Sequence, residues 1–345
     1  MQAFRIVEPQ TVELREVPVP EPGPGQVLIK VGGAGACHSD LHLIDAPADR
    51  FRNSTLPFTI GHENAGWVEK LGPGATGFDP GDPVMVYGPW GCGTCANCRL
   101  GMENYCENTG GLGGGLGGND GGMAPYLLVP ATRFLIPLGT LDPREAAPLS
   151  DAALTSYHAV KRSLHLLGPG STAVVIGAGG LGQMAIQILR ALSSATTIVA
   201  VDTADDKLTT ARRMGADEGL LSGDEAVTRI KDMTRGQGAQ LVLDMVGVDP
   251  TLRMAAQVAR VRGHLTIVGL GGGALPVNFF SPPHECSVAS PYWGFIGELM
   301  EVVTLAQAGK IQMLVEHFPL ERAGEAYQLL HEGKIQGRAV ITPTG

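Results

Sequence analysis

Cys92, Cys95, Cys98 and Cys106 follow the pattern Cys-x2-Cys-x2-Cys-x7-Cys within a glycine-rich stretch at 91–106. Such short spacers let one loop wrap four thiolates tetrahedrally around a soft ion, and zinc is the default occupant of a closed site of this kind. An iron–sulfur cluster is the alternative, but the ferredoxin run usually ends in a different spacing with proline after the last thiolate. Here Glu107 follows Cys106. A second set, Cys37, His62 and Asp151, is dispersed in the chain. Together these residues would supply a thiolate, an imidazole and a carboxylate, leaving a fourth coordination place for water or substrate. Spacing alone leaves a plainer reading open, in which His62 is a hydrogen-bonded core histidine and Cys37 a small buried hydrophobe.

A third feature is Gly177-Ala178-Gly179-Gly180-Leu181-Gly182, directly after the apolar run 172–176 and at the opening of a helical pattern. Gly177 permits the tight turn, Gly179 lets the backbone approach a pyrophosphate, and Gly182 allows close helix–strand packing. The helix start offers N–H groups to the phosphates. Asp202 lies 20 residues beyond Gly182 (202 − 182), where a carboxylate can accept both ribose hydroxyls and repel a 2′-phosphate. The expected cofactor is therefore NAD rather than NADP. Lys207 lies either over the adenosine side or on an exposed helix face.

These residues need two different kinds of scaffold. The segments 4–6, 12–17, 27–31, 63–71 and 83–87 read as short strands broken by Pro and Gly corners, a barrel-like β domain. The run 110–122 is almost pure glycine and reads as a mobile or tightly folded loop near a substrate mouth. From 152 onward strand and helix alternate as in a parallel sheet, through 172–176, 181–192, 198–201, 205–214, 225–234, 241–245, 251–261 and 265–268, with a last parallel element at 287–289. Helices at 298–309 and 322–332 and a strand at 337–341 then return to the first domain. The expected division is 1–151 for a catalytic domain carrying the lobe 91–106, 152–291 for a dinucleotide-binding domain, and 292–345 for a returning segment.

Composition agrees with a globular fold. A chain of 345 residues, 44% hydrophobic and 17% charged, is long enough for two cores and too apolar for disorder. The formal charge of −9 opposes general nucleic-acid binding. No secretory start and no apolar span of membrane length is evident, so a soluble cytoplasmic protein is expected, with reduced cysteines.

The combination of Gly61-His62-Glu63-x2-Gly66 with the four-cysteine lobe, the glycine fingerprint and the domain order resembles the zinc-dependent alcohol dehydrogenases of the medium-chain dehydrogenase/reductase superfamily over essentially the whole chain. More narrowly, Val86-Tyr87-Gly88-Pro89-Trp90-Gly91-Cys92, Pro148-Leu149-Ser150-Asp151-Ala152 and Ser290-Pro291-Tyr292-Trp293-Gly294 resemble the bacterial secondary-alcohol dehydrogenases of actinomycete type. The resemblance implies an α/β fold with a GroES-like barrel domain and a Rossmann doubly wound parallel sheet. It implies two zinc ions per subunit: a catalytic one on Cys37, His62 and Asp151, with Glu63 behind it as a possible transient ligand, and a structural one. Many members carry cysteine where Asp151 stands, so that assignment follows the narrower subgroup.

The same resemblance makes Ser39 and His42 a proton relay through the nicotinamide ribose to solvent. It places His38 and Arg338 at the cofactor pyrophosphate and Val268, Gly269 and Leu270 at the nicotinamide. Leu43, Trp90, Leu116, Phe280, Tyr292 and Trp293 become the walls of an apolar substrate pocket. The implied activity is reversible oxidation of apolar or aryl secondary alcohols to ketones or aldehydes, S-selective, in a homotetramer or else a dimer. Formaldehyde- or polyol-converting enzymes and a non-enzymatic NAD-binding scaffold are the alternatives.

Overall fold

The computed structural model describes residues 1–51 and 55–344. The chain divides into two compact units, one of Met1–Leu154, Trp293–Ala308 and Met313–Gly345, the other of Thr155–Tyr292 and Gly309–Gln312.

The first unit begins with strands β1 (Gln2–Glu8), β2 (Thr11–Glu16) and β3 (Val27–Ala36), helix α1 (His38–Ile44), and strands β4 (Phe58–Thr59), β5 (Glu63–Leu71) and β6 (Pro83–Val86). Helix α2 (Ala96–Arg99), strands β7 (Tyr126–Val129) and β8 (Leu135–Pro137), helix α3 (Pro143–Ala146) and helix α4 (Ala152–Lys161) follow, α4 running on into the second unit. Strand β3 extends five residues beyond the expected 27–31, to Ala36. Its second half, Gly32–Ala36, is made of small residues with no apolar alternation, so the sequence carries no strand signal there. The ladder supplies the reason for the small residues. Gly35 pairs with Glu63, and a Cβ on Gly35 would collide with the Glu63 side chain.

Register then explains how distant residues meet. Strand β3 runs antiparallel to β5, with Gly35 opposite Glu63. It also runs antiparallel to a late strand over Arg338–Thr342, with Ala36 opposite Ala339. The carboxyl end of β3 therefore lies beside the amino ends of both partners. Cys37, His62, Glu63 and Arg338 are gathered at that one end. The glycine-rich run 110–122 is tightly folded against the strand segment leading to His62, with Gly121 N–H donating to Thr59 O at 2.8 Å, Gly122 to Gly61 O at 2.9 Å and Met123 to Ile60 O at 3.0 Å.

In the second unit, β9 (Thr172–Ile176), α5 (Gly180–Leu192), β10 (Thr197–Asp202), α6 (Asp205–Arg213), β11 (Glu218–Leu221), α7 (Asp224–Met233), β12 (Ala239–Asp244), α8 (Asp249–Val258), β13 (Ala259–Ile267) and β14 (Ser287–Ala289) alternate. The six strands form a parallel sheet in the order β11-β10-β9-β12-β13-β14. Strand β9 is buried at every position, as expected of a parallel strand covered on both faces. Val174, Ile176, Val199, Val201, Val242 and Leu265 form the centre of its core. The order reverses at β9, which makes its carboxyl end the topological switch point where such sheets bind ligands. Helix α8 ends three residues short of the expected 261, and β13 starts at Ala259 rather than 265. Arg260, Arg262 and His264 hide the strand in the sequence, and the β12 ladder imposes it.

The chain returns to the first unit with α9 (Ile296–Gln307), β15 (Val315–Pro319), α10 (Ala323–His331) and β16 (Arg338–Thr342). No helix among the described residues is long and apolar enough to cross a membrane.

Candidate functional site

Cys37 is the N-cap of α1, at the end of β3. His62 enters β5 after Gly61, and Asp151 sits between the 3-10 turn Ala147–Ser150 and α4. The fold brings all three together: Cys37 Sγ lies 3.8 Å and His62 Nε2 3.4 Å from Asp151 Oδ2. With Glu63 added, one donor atom from each of the four residues falls within 4.8 Å of all the others. Thiolate, imidazole and carboxylate converging in this way suit zinc, and the plainer reading of Cys37 and His62 as unconnected core residues does not describe this geometry.

The imidazole is held from behind. His62 Nδ1 lies 2.8 Å from Asp40 Oδ1, which leaves Nε2 facing Cys37 and Asp151. Asp40 is fully buried; its other oxygen accepts the Cys37 backbone N–H at 2.9 Å and the Tyr327 hydroxyl at 2.8 Å. Fixing a ligand histidine through its second nitrogen is the ordinary way a protein sets its tautomer and direction. Burial alone would lower the His62 pKa, but the charge of Asp40 and hydrogen bonds to Asp151 and Asp40 raise it well above its ordinary 6.5. Burial and Asp40's charge hold the Tyr327 phenol above its usual range, so it remains a donor. Asp40 and Tyr327 are functional candidates that sequence reasoning missed. Asp40 had a signal, its place three residues after Cys37 at the helix start; Tyr327, 287 residues from Asp40, had none.

Arg338 has a partner other than the phosphate expected from the sequence. It is buried, its Nε is 2.9 Å from Glu63 Oε2, its Nη2 also pairs with Glu63, and Nη2 lies 3.8 Å from Asp151 Oδ2. Burial pushes the Glu63 carboxyl from 4.5 up to about 7 even though Arg338 pulls it down. Burial likewise opposes the charge on Arg338, but Cys37 and Glu63 more than restore it, and the guanidinium stays above its usual range. Glu63 is thus the member of the pair that titrates.

Cys92, Cys95, Cys98 and Cys106 also lie with their sulfurs within 4.8 Å of one another. Thr94 N–H and Cys95 N–H both donate to Cys92 Sγ at 3.4 Å, and Cys92 N–H donates to Cys106 Sγ at 3.3 Å. The Thr94 hydroxyl and these N–H groups draw the Cys92 thiol down to about 5. Burial pushes Cys98 up to about 12. Arg133 ties the lobe to its base through Glu103 and the Gly91 carbonyl. Four thiols and no carboxylate or imidazole describe a closed structural site, in contrast to the mixed set around Asp151.

In the second unit Gly177 takes φ 91°, a conformation that favours glycine, and a Cβ on Gly182 would meet the Gly177 carbonyl. Gly179 caps α5, with Gly180 and Leu181 in its first turn. Asp202 ends β10, where its carboxylate accepts Ala178 N–H at 2.7 Å and Ala204 N–H at 3.1 Å. Lys207 is half-buried on α6. Val268 and Gly269 both donate their N–H to Asp244 O, and Leu270 is exposed.

Ser39 Oγ lies 3.3 Å from His62 Nε2, while His38 and His42 are exposed on α1. Among the expected pocket residues, Trp293 meets the His62 ring edge-on at 5.5 Å and donates its indole N–H to Ser150 O at 2.9 Å. Leu43, Trp90 and Leu116 are half-buried in the same unit. Trp90 donates to Tyr87 O at 3.0 Å. Of the other expected pocket residues, Phe280 is 87% exposed and set against Phe279, and Tyr292 is also exposed.

Comparison with known proteins supplies the family. A model described as "Alcohol dehydrogenase GroES-like domain" matches residues 23–140, and one described as "Zinc-binding dehydrogenase" matches 180–308. The chain is 38% identical to an NAD-dependent alcohol dehydrogenase of Sulfurisphaera tokodaii, covering 99% of this chain and 100% of that one. It is 36% identical to a D-arabinose 1-dehydrogenase (NADP(+)) of Saccharolobus solfataricus, over 97% and 95%. The crystal structure of the alcohol dehydrogenase from the hyperthermophilic archaeon Aeropyrum pernix superposes with TM-score 0.92 at 34% identity, over 99% and 100%. These strong likenesses are archaeal and correct the narrower expectation of an actinomycete-type bacterial affinity. A GroES-like domain joined to a Rossmann domain, two metal-binding clusters and these full-length likenesses make the chain a member of the zinc-binding, NAD-dependent alcohol dehydrogenases of the medium-chain dehydrogenase/reductase superfamily.

Proposed function

We propose that this enzyme oxidises apolar or aryl secondary alcohols reversibly to ketones, and related alcohols to aldehydes, with hydride transfer to NAD. The observation that carries the reading is the meeting of Cys37, His62 and Asp151 at one point, with His62 oriented by Asp40. When bound, zinc supplies positive charge that acidifies a substrate hydroxyl, and NAD supplies the hydride acceptor.

The chain's own residues would do the rest. Ser39, with Oγ 3.3 Å from His62 Nε2, is poised to hold the substrate's hydroxyl proton. His42 lies one helical turn further along α1 and is exposed, so its imidazole can pass that proton on to water. Glu63 and Arg338 form a charged pair behind Asp151 that limits where its carboxylate can turn. Gly177–Gly182 would cradle the pyrophosphate, and Asp202 would take the ribose hydroxyls and disfavour a 2′-phosphate. Trp293, Leu43, Trp90 and Leu116 favour an apolar arm on the alcohol.

A homotetramer, or a dimer, fits the exposed run of Val277, Phe279 and Phe280, because a monomer seldom leaves such a patch in water. The sugar-oxidising relative supports a second reading, a polyol or aldose substrate. Cofactor reduction measured with NAD and NADP against aryl and alkyl secondary alcohols, primary alcohols and aldoses separates the two. Highest kcat/KM for an apolar secondary alcohol with NAD is expected. A preference for D-arabinose or for NADP would overturn the assignment.

A further inference from the structure

Asp40 is a buried carboxylate that touches two residues of the metal centre at once. One oxygen faces His62 Nδ1 at 2.8 Å; the other accepts the Cys37 backbone N–H at 2.9 Å. A carboxylate with no exposure needs its remaining acceptor capacity filled, or burial becomes costly. The filling group comes from the far end of the chain: the Tyr327 hydroxyl, on α10, donates to Asp40 Oδ2 at 2.8 Å. Its ring is held independently, stacked on Phe4 with centroids 5.9 Å apart and planes 14° from parallel. Met123 Sδ, 3.7 Å from the hydroxyl, is a weak acceptor and no competitor for a carboxylate. The hydroxyl therefore aims at Asp40, and Asp40 aims at the imidazole and at the helix start that carries the thiol.

We infer that Tyr327 is a positioning residue for the catalytic metal site: through Asp40 it fixes the direction of His62 Nε2 and the seat of Cys37, and so sets how tightly that site holds its ion. The inference rests on the assignment of Cys37, His62 and Asp151 as the ligand set. It is distinct from a packing role, since a phenylalanine at 327 would keep the stack on Phe4 and lose only the hydroxyl. Partners that orient ligand histidines are typically worth about 10–100-fold in metal affinity, and a group one bond further back is expected near the lower end, about tenfold.

The test compares wild type, Y327F and F4L as full-length enzyme, measuring zinc equivalents under graded chelator and the visible spectrum with cobalt in the catalytic site. Wild type should hold two metal equivalents. If it holds only one, the ligand assignment fails and this inference falls with it. With two bound, Y327F should release one about tenfold more readily, keep the other at wild-type affinity, and show displaced cobalt bands. F4L loosens the stack and keeps the hydroxyl, so it should lower Tm while leaving affinity and spectrum unchanged. Equal retention of both metals with an unaltered spectrum in Y327F would overturn the proposal, as would the same loss of affinity in F4L. Should Y327F not fold, 3-fluorotyrosine incorporated into the wild type changes the donor strength of the same bond. Displaced cobalt bands then support the inference, and unmoved bands reject it.

Discussion

His62 and Glu63 are adjacent, buried and pushed in the same direction, because each gains more from holding a proton in the folded chain than in the unfolded one. For His62, Asp40 and Asp151 outweigh burial and raise the pKa above 6.5; for Glu63, burial raises it from 4.5 to about 7 against the pull of Arg338. The sign follows from proton uptake. Where the folded chain binds more protons than the unfolded one, stability falls as pH rises, so without metal both groups favour the fold below their unfolded pKa values and lose that contribution as pH passes through their folded ones. Zinc works against this, since its ligand histidine must be deprotonated and binding releases protons. The rise in Tm produced by loading the catalytic site should therefore grow as pH is raised from about 5 to about 8. Calorimetry of the enzyme with and without that metal checks it. A zinc effect of constant size over this range would mean that His62 is not a ligand. At this scale the cysteine quartet announces its chemistry by type and spacing, whereas Cys37, His62 and Asp151, dispersed in the chain, were joined only by the family resemblance. Arg338, Asp40 and Tyr327 do not, because their roles consist in pairings across 275, 22 and 287 residues that only the fold creates.

Elements decide which of those pairings are possible. Strand β3 places Cys37 at its carboxyl end, and the antiparallel registers of β5 and β16 bring Glu63 and Arg338 to the same end. In the second unit the turn after β9 would do the equivalent work for the cofactor. A Gly182→Ala change puts a Cβ against the Gly177 carbonyl and must open the turn between β9 and α5. The expected result is an NAD Kd raised at least about tenfold, or 1.4 kcal/mol, with both zinc equivalents retained, because the ligand residues all lie in the other unit. Titration of NAD by fluorescence beside metal analysis reads both quantities. Unchanged NAD affinity would remove Gly182 from the cradle. The alternation of strand and helix after residue 152 was visible because parallel strands are apolar on both faces. The second half of β3 and the start of β13 were not, since small or charged residues there are chosen for what lies opposite rather than for strand propensity.

For the whole molecule, the chain divides into a unit that carries both metal-ligand clusters and a unit that carries the dinucleotide-binding sheet. Val277, Phe279 and Phe280 are exposed in the single chain, and the proposed oligomer would cover them. Phe280→Asp should reduce the mass found by light scattering and leave the zinc content intact; an unchanged mass would place the subunit contact elsewhere. A secondary alcohol bound beside Cys37, His62 and Asp151 is expected to give its carbon-bound hydrogen to NAD as hydride. The most direct test is incubation of the zinc-loaded enzyme with NAD and 1-phenylethanol carrying deuterium on the carbinol carbon, followed by NMR of the cofactor. Acetophenone and NADH with one deuterium at nicotinamide C4 are expected, formed only while the catalytic site retains its metal. Fully zinc-loaded enzyme that yields no reduced cofactor, or reduced cofactor without the label, would contradict it.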